Sequence, residues 1–399
     1  MKKIVAGVTL VCIVAVMLCA CVQEQKPRTQ RLVLNEVVHS VFYAPQYVAR
    51  ELGFFQEEGI DLQVDVGYGA DKSMTAVLSH NADIALCGTE AAVYVHAEGR
   101  EDVPVVFAQL TQRAGNFLIG READPDFQWA DLKGKTIIGG RKGGMPEMVL
   151  EYVLKKNGLD PERDLEIITN LDLSATAGAF VAGTGEYTTE FEPGATTLES
   201  DGNGYVVASL GVDSGYVPYT AYMTTESVLA DKAELIQGFT NAIYRGQQWV
   251  AQHSAQEIAE VIYPQFAETQ MEALTQIIER YQAQDTWKTD PIFTEEALRL
   301  KEEILREAGQ YSGTLEYSAI ATTEIAQTAM KEKHPGGMPL VAYPVRIFCY
   351  FTRLPLGAMV ITRYGICFPL FLRAVRAARS RPPQQGTVIR VIQSSRISL

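Results

Sequence analysis

The stretch RLVLNEVVHSVFYAPQYVARELGFFQEEGIDLQVDV, residues 31–66, decides the fold. Residues 31–37 read as a short strand, and residues 43–52 as a helix with Tyr47, Val48 and Leu52 on one face. Gly53 follows where a helix end favours a left-handed residue. Residues 60–66 (IDLQVDV) alternate apolar and polar side chains, the period of a strand. A helix between two strands implies a crossover, so the strands are expected side by side and parallel, with the helix on a sheet face.

The same order continues outward. A helix is expected over 71–78, a buried strand over 82–86, and another strand over 103–109. A second unit repeats the plan, with strands over 136–139, 165–169 and 187–191 and helices over 146–157 and 175–182. Residues 205–209 and 219–224 read as strands returning toward the first lobe. From Asp231 the chain is helical, over 235–254, 255–263, 268–284 and 294–308. Two α/β lobes joined by two crossing strands, with a helical C-terminal wrap, are therefore expected. Lobe 1 takes about residues 31–110 and 210–330, and lobe 2 about residues 111–209 of a body spanning 31–330.

The ends differ in kind from this body. Lys2 and Lys3 precede an apolar run over 4–18, and Leu18, Cys19, Ala20 and Cys21 close it. That order fits a bacterial lipoprotein signal over 1–20, with acylation of Cys21 and a polar tether over 21–30. A plain transmembrane helix is the competing reading, but the run falls short of the ~20 residues that a bilayer requires. At the other end, all 48 acidic residues lie at or before Glu332, whereas residues 334–399 hold nine arginines and neither lysine nor acid. An out-of-frame or degenerate extension explains that shift better than a basic membrane-surface segment, and no function is assigned to it. The acidic body would repel nucleic-acid phosphates, so no nucleic-acid partner is expected. Cys87 is the body's one cysteine, and His39, His80, His96 and His253 lack metal-ligand spacing, so neither a disulfide framework nor a metal site is expected.

Three ordered blocks carry a family resemblance. FYAPQYVA over 42–49 leads to LGFF over 52–55 and EGIDL over 58–62; ADIALCGTEA over 82–91 follows; DLKGK over 131–135 precedes GGRKGG over 139–144. In this order they resemble the binding proteins for thiamine pyrimidine precursors and for nitrate, sulfonate and taurine, across about residues 31–330. The resemblance implies a two-lobed type II periplasmic-binding fold that closes on a small molecule. With the lipid anchor read at Cys21, it implies an extracytoplasmic protein, expected as a monomer, that serves an ABC permease and its ATPase, and no cofactor is expected.

Ligands of open α/β sheets sit beyond the carboxyl ends of strands, and four such ends offer candidates. After the first strand come Asn35, His39, Phe42 and Tyr43, with the aromatics equally readable as core. Gly88 and Thr89 follow the third strand, where Gly88 would let a ligand approach the backbone and Glu90 would cap a helix. Gly143, Gly144 and Met145 close a glycine-rich loop ahead of Pro146, which lacks the Lys-Ser/Thr of a Walker motif. Glu190 and Glu192 lie two apart on a strand, so their carboxylates need a donor. An amino-bearing ring would supply one to Glu190, the other carboxylate being a helix cap. This favours a nitrogen-containing cargo, while Arg141 and Lys142 keep a sulfonate or nitrate open. A pyrimidine-forming enzyme of the same fold would need a cysteine-rich iron site that the body lacks, and no sensor segment follows the body.

Overall fold

The computed structural model describes residues 29–331. Cys21, the signal over 1–20 and the Arg-rich tail over 334–399 lie outside the described residues. Two five-stranded sheets organise the chain. In the first, β1 (Gln30–Glu36) pairs in parallel with β2 (Ile60–Val66) and with β3 (Ile84–Cys87). In the same sheet β4 (Pro104–Gln109) is an edge strand. Between β3 and β4 lies β10 (Ala221–Thr225), antiparallel to both, which gives the order β2-β1-β3-β10-β4. The four strands of the βαβ order therefore run parallel as expected, and the returning strand β10 enters between β3 and β4 in the opposite direction, which makes the sheet mixed.

The second sheet repeats this plan with strands the chain supplies later. It holds β5 (Asn116–Gly120), β6 (Thr136–Ile138), β7 (Glu166–Ile168), β8 (Tyr187–Phe191) and β9 (Tyr205–Ser209), in the order β7-β6-β8-β5-β9. β6 is parallel to β7 and β8, while β5 runs antiparallel between β8 and β9. In each sheet the antiparallel insert is the strand that arrives from the other sheet: β5 after β4, and β10 after β9. Residues 205–209 therefore stay in the second sheet as β9, and β10 alone returns. β5 was missed because NFLIG is a short, fully buried run with no alternation to mark it.

The helices expected from the sequence form with boundaries shifted by at most three residues, the largest shift being at the start of helix Met271–Ala283. Gly53 does end helix Ala44–Glu51 and its cap, at φ +79°, which a side-chain-bearing residue rarely adopts. Helix Ala233–Gln252 packs across helix Ala44–Glu51, and helix Glu324–Lys331 lies on it in turn. Helix Glu295–Glu307 reaches across to helix Met145–Lys156, where Lys155 Nζ donates to Glu307 O. The inner strands β3 and β10 of the first sheet and β5 of the second are buried along their whole lengths, so they are covered on both faces. Among the described residues no helix is long and apolar enough to cross a membrane.

Candidate ligand-binding site

The carboxyl ends of both sheets converge on one cavity of about 420 Å³. Tyr43 follows β1, Gly69 and Asp71 follow β2, and Gly88 and Glu90 follow β3. From the second sheet come Gly143, Gly144 and Met145 after β6, and Phe191 at the end of β8. Tyr219 stands just before β10, and Tyr94 on helix Glu90–Ala97 closes the wall near Gly143. Met74, Leu78, Val95 and Leu173 make much of the remaining surface apolar. A ring-shaped body with a few polar edges suits such walls.

Glu90 is the buried charge in this lining. Gly88 puts it there: a Cβ at Gly88 would lie 2.1 Å from Glu90 Oε2 and 2.2 Å from Oε1. The carboxylate therefore folds back over the glycine, and the space read as an approach for a ligand is filled by Glu90 itself. Lys301, fully buried on helix Glu295–Glu307, donates from Nζ to Glu90 Oε2 at 3.1 Å and also touches Met145 Sδ. Burial pulls the Lys301 ammonium below its ordinary range, and the Glu90 charge opposes that shift. Burial raises the Tyr43 and Tyr219 phenols well above theirs, so both are neutral donors.

The cations of the glycine-rich loop are already engaged. Arg141 Nη1 bonds Asp71 at 3.0 Å and lies 3.5 Å from Asp172. Lys142 Nζ donates to Glu147 and Glu151, both at 2.9 Å. Burial pushes the Glu147 carboxyl up to about 7. Beside this loop, Lys72 lies 3.8 Å from Asp172, and Tyr94 Oη donates to Gly143 O at 2.9 Å. These contacts tie the first sheet's helices to the second sheet's loops.

Of the residues singled out from sequence, Tyr43, Gly88, Gly143, Gly144 and Met145 share the cavity lining. The other five lie outside it. Asn35 and Thr89 are buried, with Asn35 Oδ1 and Thr89 Oγ1 lacking a hydrogen-bond partner. His39 belongs to a separate network, bonded to Glu36 and Gln265 O at 3.0 Å each, and the Glu36 bond raises its pKa. Phe42 packs over Gly115 and behind Phe191 and Tyr219, accepting at its carbonyl from Trp287 Nε1 at 2.8 Å. Glu190 takes its donors from Thr188 at 2.8 Å and Thr176 at 3.1 Å. Glu192 accepts from Arg280 at 2.6 Å and from the Thr196 backbone at 2.9 Å, capping helix Gly194–Ser200. The expected conflict between the two carboxylates is thus resolved within the protein. Sequence reasoning placed Glu90 only as a helix cap and passed over Tyr219 and Lys301. A glycine two residues before a buried acid marks the first, whereas Lys301, 211 positions from its partner, leaves no local signal.

A family model described as NMT1/THI5 like matches residues 41–257. The Bacillus subtilis (strain 168) protein named "Putative binding protein YtlA" is 45% identical over 316 residues, 79% of this chain and 94% of that protein. The chain belongs to the NMT1/THI5-like family. Solved structures place the family member's architecture among periplasmic binding proteins. The alkanesulfonate-binding protein SsuA from Xanthomonas axonopodis pv. citri, bound to MOPS, superposes with a TM-score of 0.58 at 15% identity, covering 75% of this chain and 99% of that one. The nitrate-binding protein NrtA from Synechocystis PCC 6803 gives 0.59 at 16% identity, covering 76% and 89%. At such identities the likeness is one of fold: a two-lobed, type II periplasmic-binding architecture.

Proposed function

We propose that this NMT1/THI5-like chain is the solute-binding component of an ABC importer, carrying a small nitrogen-containing ring compound such as a pyrimidine precursor of thiamine. Family membership and the two-lobed fold support the binding role. The cargo class rests on one observation: Glu90 presents a carboxylate within a cavity walled by Tyr43, Phe191 and Tyr219. An amino-bearing ring would stack on the aromatics and donate to the acid. Tyr43, Gly143, Gly144 and Met145 are assigned as contacts alongside these residues, with Gly88 seating the Glu90 carboxylate. The protein works outside the cell membrane, as a monomer held by a lipid on Cys21, beside a permease and its ATPase. A multiply acylated cysteine anchors firmly, each buried methylene contributing about 0.8 kcal/mol.

The sulfonate and nitrate ligands of the two structural neighbours are a weaker match, because Arg141 and Lys142 are both engaged by carboxylates. Mass spectrometry of the small molecule released on denaturing freshly purified protein tests the proposal. A nitrogen heterocycle supports it. A sulfonate or nitrate overturns the cargo class, and conversion of an added pyrimidine to a new product overturns the transport role.

A further inference from the structure

Glu90 has its Oε2 held by Lys301 at 3.1 Å, while among the described residues no hydrogen bond reaches Oε1. The cations of the lining itself are matched as well. Arg141 has Asp71 at 3.0 Å, Lys142 has Glu147 and Glu151 at 2.9 Å, and Arg100 has Glu98 at 3.3 Å. Among the described residues, an anion entering this cavity meets no uncommitted cation. A cation meets a carboxylate whose charge is already balanced by a fully buried ammonium, and their like charges would repel at close range. An uncharged molecule disturbs none of these pairs and can still donate to Glu90 Oε1.

We infer that the site selects uncharged ligands bearing an N–H donor, and that Lys301 sets this preference as a tethered counter-cation to Glu90. The inference rests on the cavity being the ligand site and deepens the cargo class proposed above. Lys301 is absent from the lining and acts through Glu90, so it is a positioning residue. Gly88 completes the device, since a Cβ there would displace the carboxylate that Lys301 holds. The chemistry recognised is that of a neutral aminopyrimidine.

The test is calorimetry on the full-length protein at pH 8 with three probes: 4-amino-2-methylpyrimidine, benzamidinium and methanesulfonate. The wild type is expected to bind the aminopyrimidine about 100-fold more tightly than either ion, because an ion brings an uncompensated charge into the cavity. Lys301→Met leaves Glu90 unbalanced and is expected to shift the preference toward benzamidinium by about 10-fold or more. Glu90→Gln leaves the ammonium unbalanced and is expected to shift it toward methanesulfonate by a similar factor. The double variant removes both charges, restores a neutral cavity and keeps the question answerable where a single variant fails to fold. It is expected to reject both ions while binding the aminopyrimidine about 10-fold more weakly than wild type, the Glu90 acceptor having been replaced.

The outcomes separate cleanly. A wild type that prefers benzamidinium leaves a nitrogen cargo standing and overturns charge neutrality. A wild type that prefers methanesulfonate overturns both. Single variants that fold and change all three affinities by one common factor would reduce Lys301 to packing and overturn its assigned role. Binding of none of the three overturns the cavity as ligand site, and the inference with it.

Discussion

Glu90 and Glu190 belong to corresponding parts of the two sheets. β3 and β8 are the middle strands of the same five-strand plan; Glu90 opens the helix just after β3, Glu190 lies near the end of β8, and each is buried. Their partners differ. Glu90 faces the ammonium of Lys301, while among the described residues Glu190 has only the hydroxyls of Thr188 and Thr176. Burial pushes the Glu190 carboxyl up to about 7, and the two hydroxyl donors offset only part of that. Hydroxyls can satisfy a buried carboxylate's lone pairs without balancing its charge. The carboxylate with a buried counter-cation is the one that lines the cavity.

Removing the counter-cation should erase the distinction, with the largest effect of any single change. Lys301→Met strands a buried carboxylate, and the loss expected is about 3–5 kcal/mol in unfolding free energy. The double variant Glu90→Gln/Lys301→Met should recover most of it. Urea midpoints read both values. If the double variant is no more stable than Lys301→Met, the pair matters for its packing and the comparison between the two glutamates loses its electrostatic basis.

The glycines beside the two acids offer a second contrast. A Cβ on Gly88 would meet the Glu90 carboxylate at 2.1 Å, whereas one on Gly194 stays 3.8 Å from Glu190 Oε2. Gly88→Ala must swing the carboxylate off Lys301, with an expected cost of about 2 kcal/mol. Gly194→Ala, in ordinary contact at the first position of helix Gly194–Ser200, should stay within about 0.5 kcal/mol of wild type. Thermal melts of the pair decide it; equal losses would mean that backbone freedom, not the carboxylate, explains Gly88.

How much of this could be read in the chain follows from where the information lies. Alternation in residues 60–66 and the glycine after residue 52 are local, so β2 and the first helix end were legible. The position of β10 between β3 and β4 depends on pairings more than a hundred residues apart, and strand alternation carries no trace of them. The glycine-rich loop after β6 could be read as cavity wall because glycines before a helix form one signal. Glu190 drew notice as an acid on a strand, yet its threonine partners are equally short-range and were not weighed against a ligand. Lys301 sits on the buried stripe of an amphipathic helix, where only the folded structure shows that its neighbour is Glu90.

Titration should expose the uncompensated acid. The Glu190 carboxyl is raised from its unfolded value near 4.5 to about 7, so the folded state holds its proton more tightly. Its stabilising contribution is full below about pH 4.5 and is lost as pH rises through about 7. Glu190→Gln keeps a neutral acceptor for the threonines and removes this dependence. Between pH 5 and 8 the variant should lose about 1–2 kcal/mol less stability than wild type. Parallel pH profiles for the two proteins would show that Glu190 is not the group that titrates. His39, raised by its bond to Glu36, acts in the same direction and remains in both proteins.

The smallest effect belongs to the ion pairs beside the glycine-rich loop, which set exposed charges against the buried pair at Glu90. Arg141 and Asp71 are partly exposed and 3.0 Å apart, and Lys72 and Asp172 are 3.8 Å apart and similarly exposed. Water and salt screen such pairs, so each contributes below about 1 kcal/mol to stability. They nevertheless join helix Ala70–Leu78, after β2, to loops of the second sheet, and Asp71 and Arg141 line the cavity, so parting of these contacts is expected to accompany ligand release. Asp71→Asn should therefore leave the melting temperature within about 2 °C of wild type while quickening ligand release about 2–5-fold at low salt, read by stopped flow. In about 0.5 M salt, where the Debye length shrinks to a few ångströms, wild type and variant should release ligand at the same rate. An acceleration that persists in high salt would assign this hold to packing, since screening leaves packing intact and removes only what charge contributes.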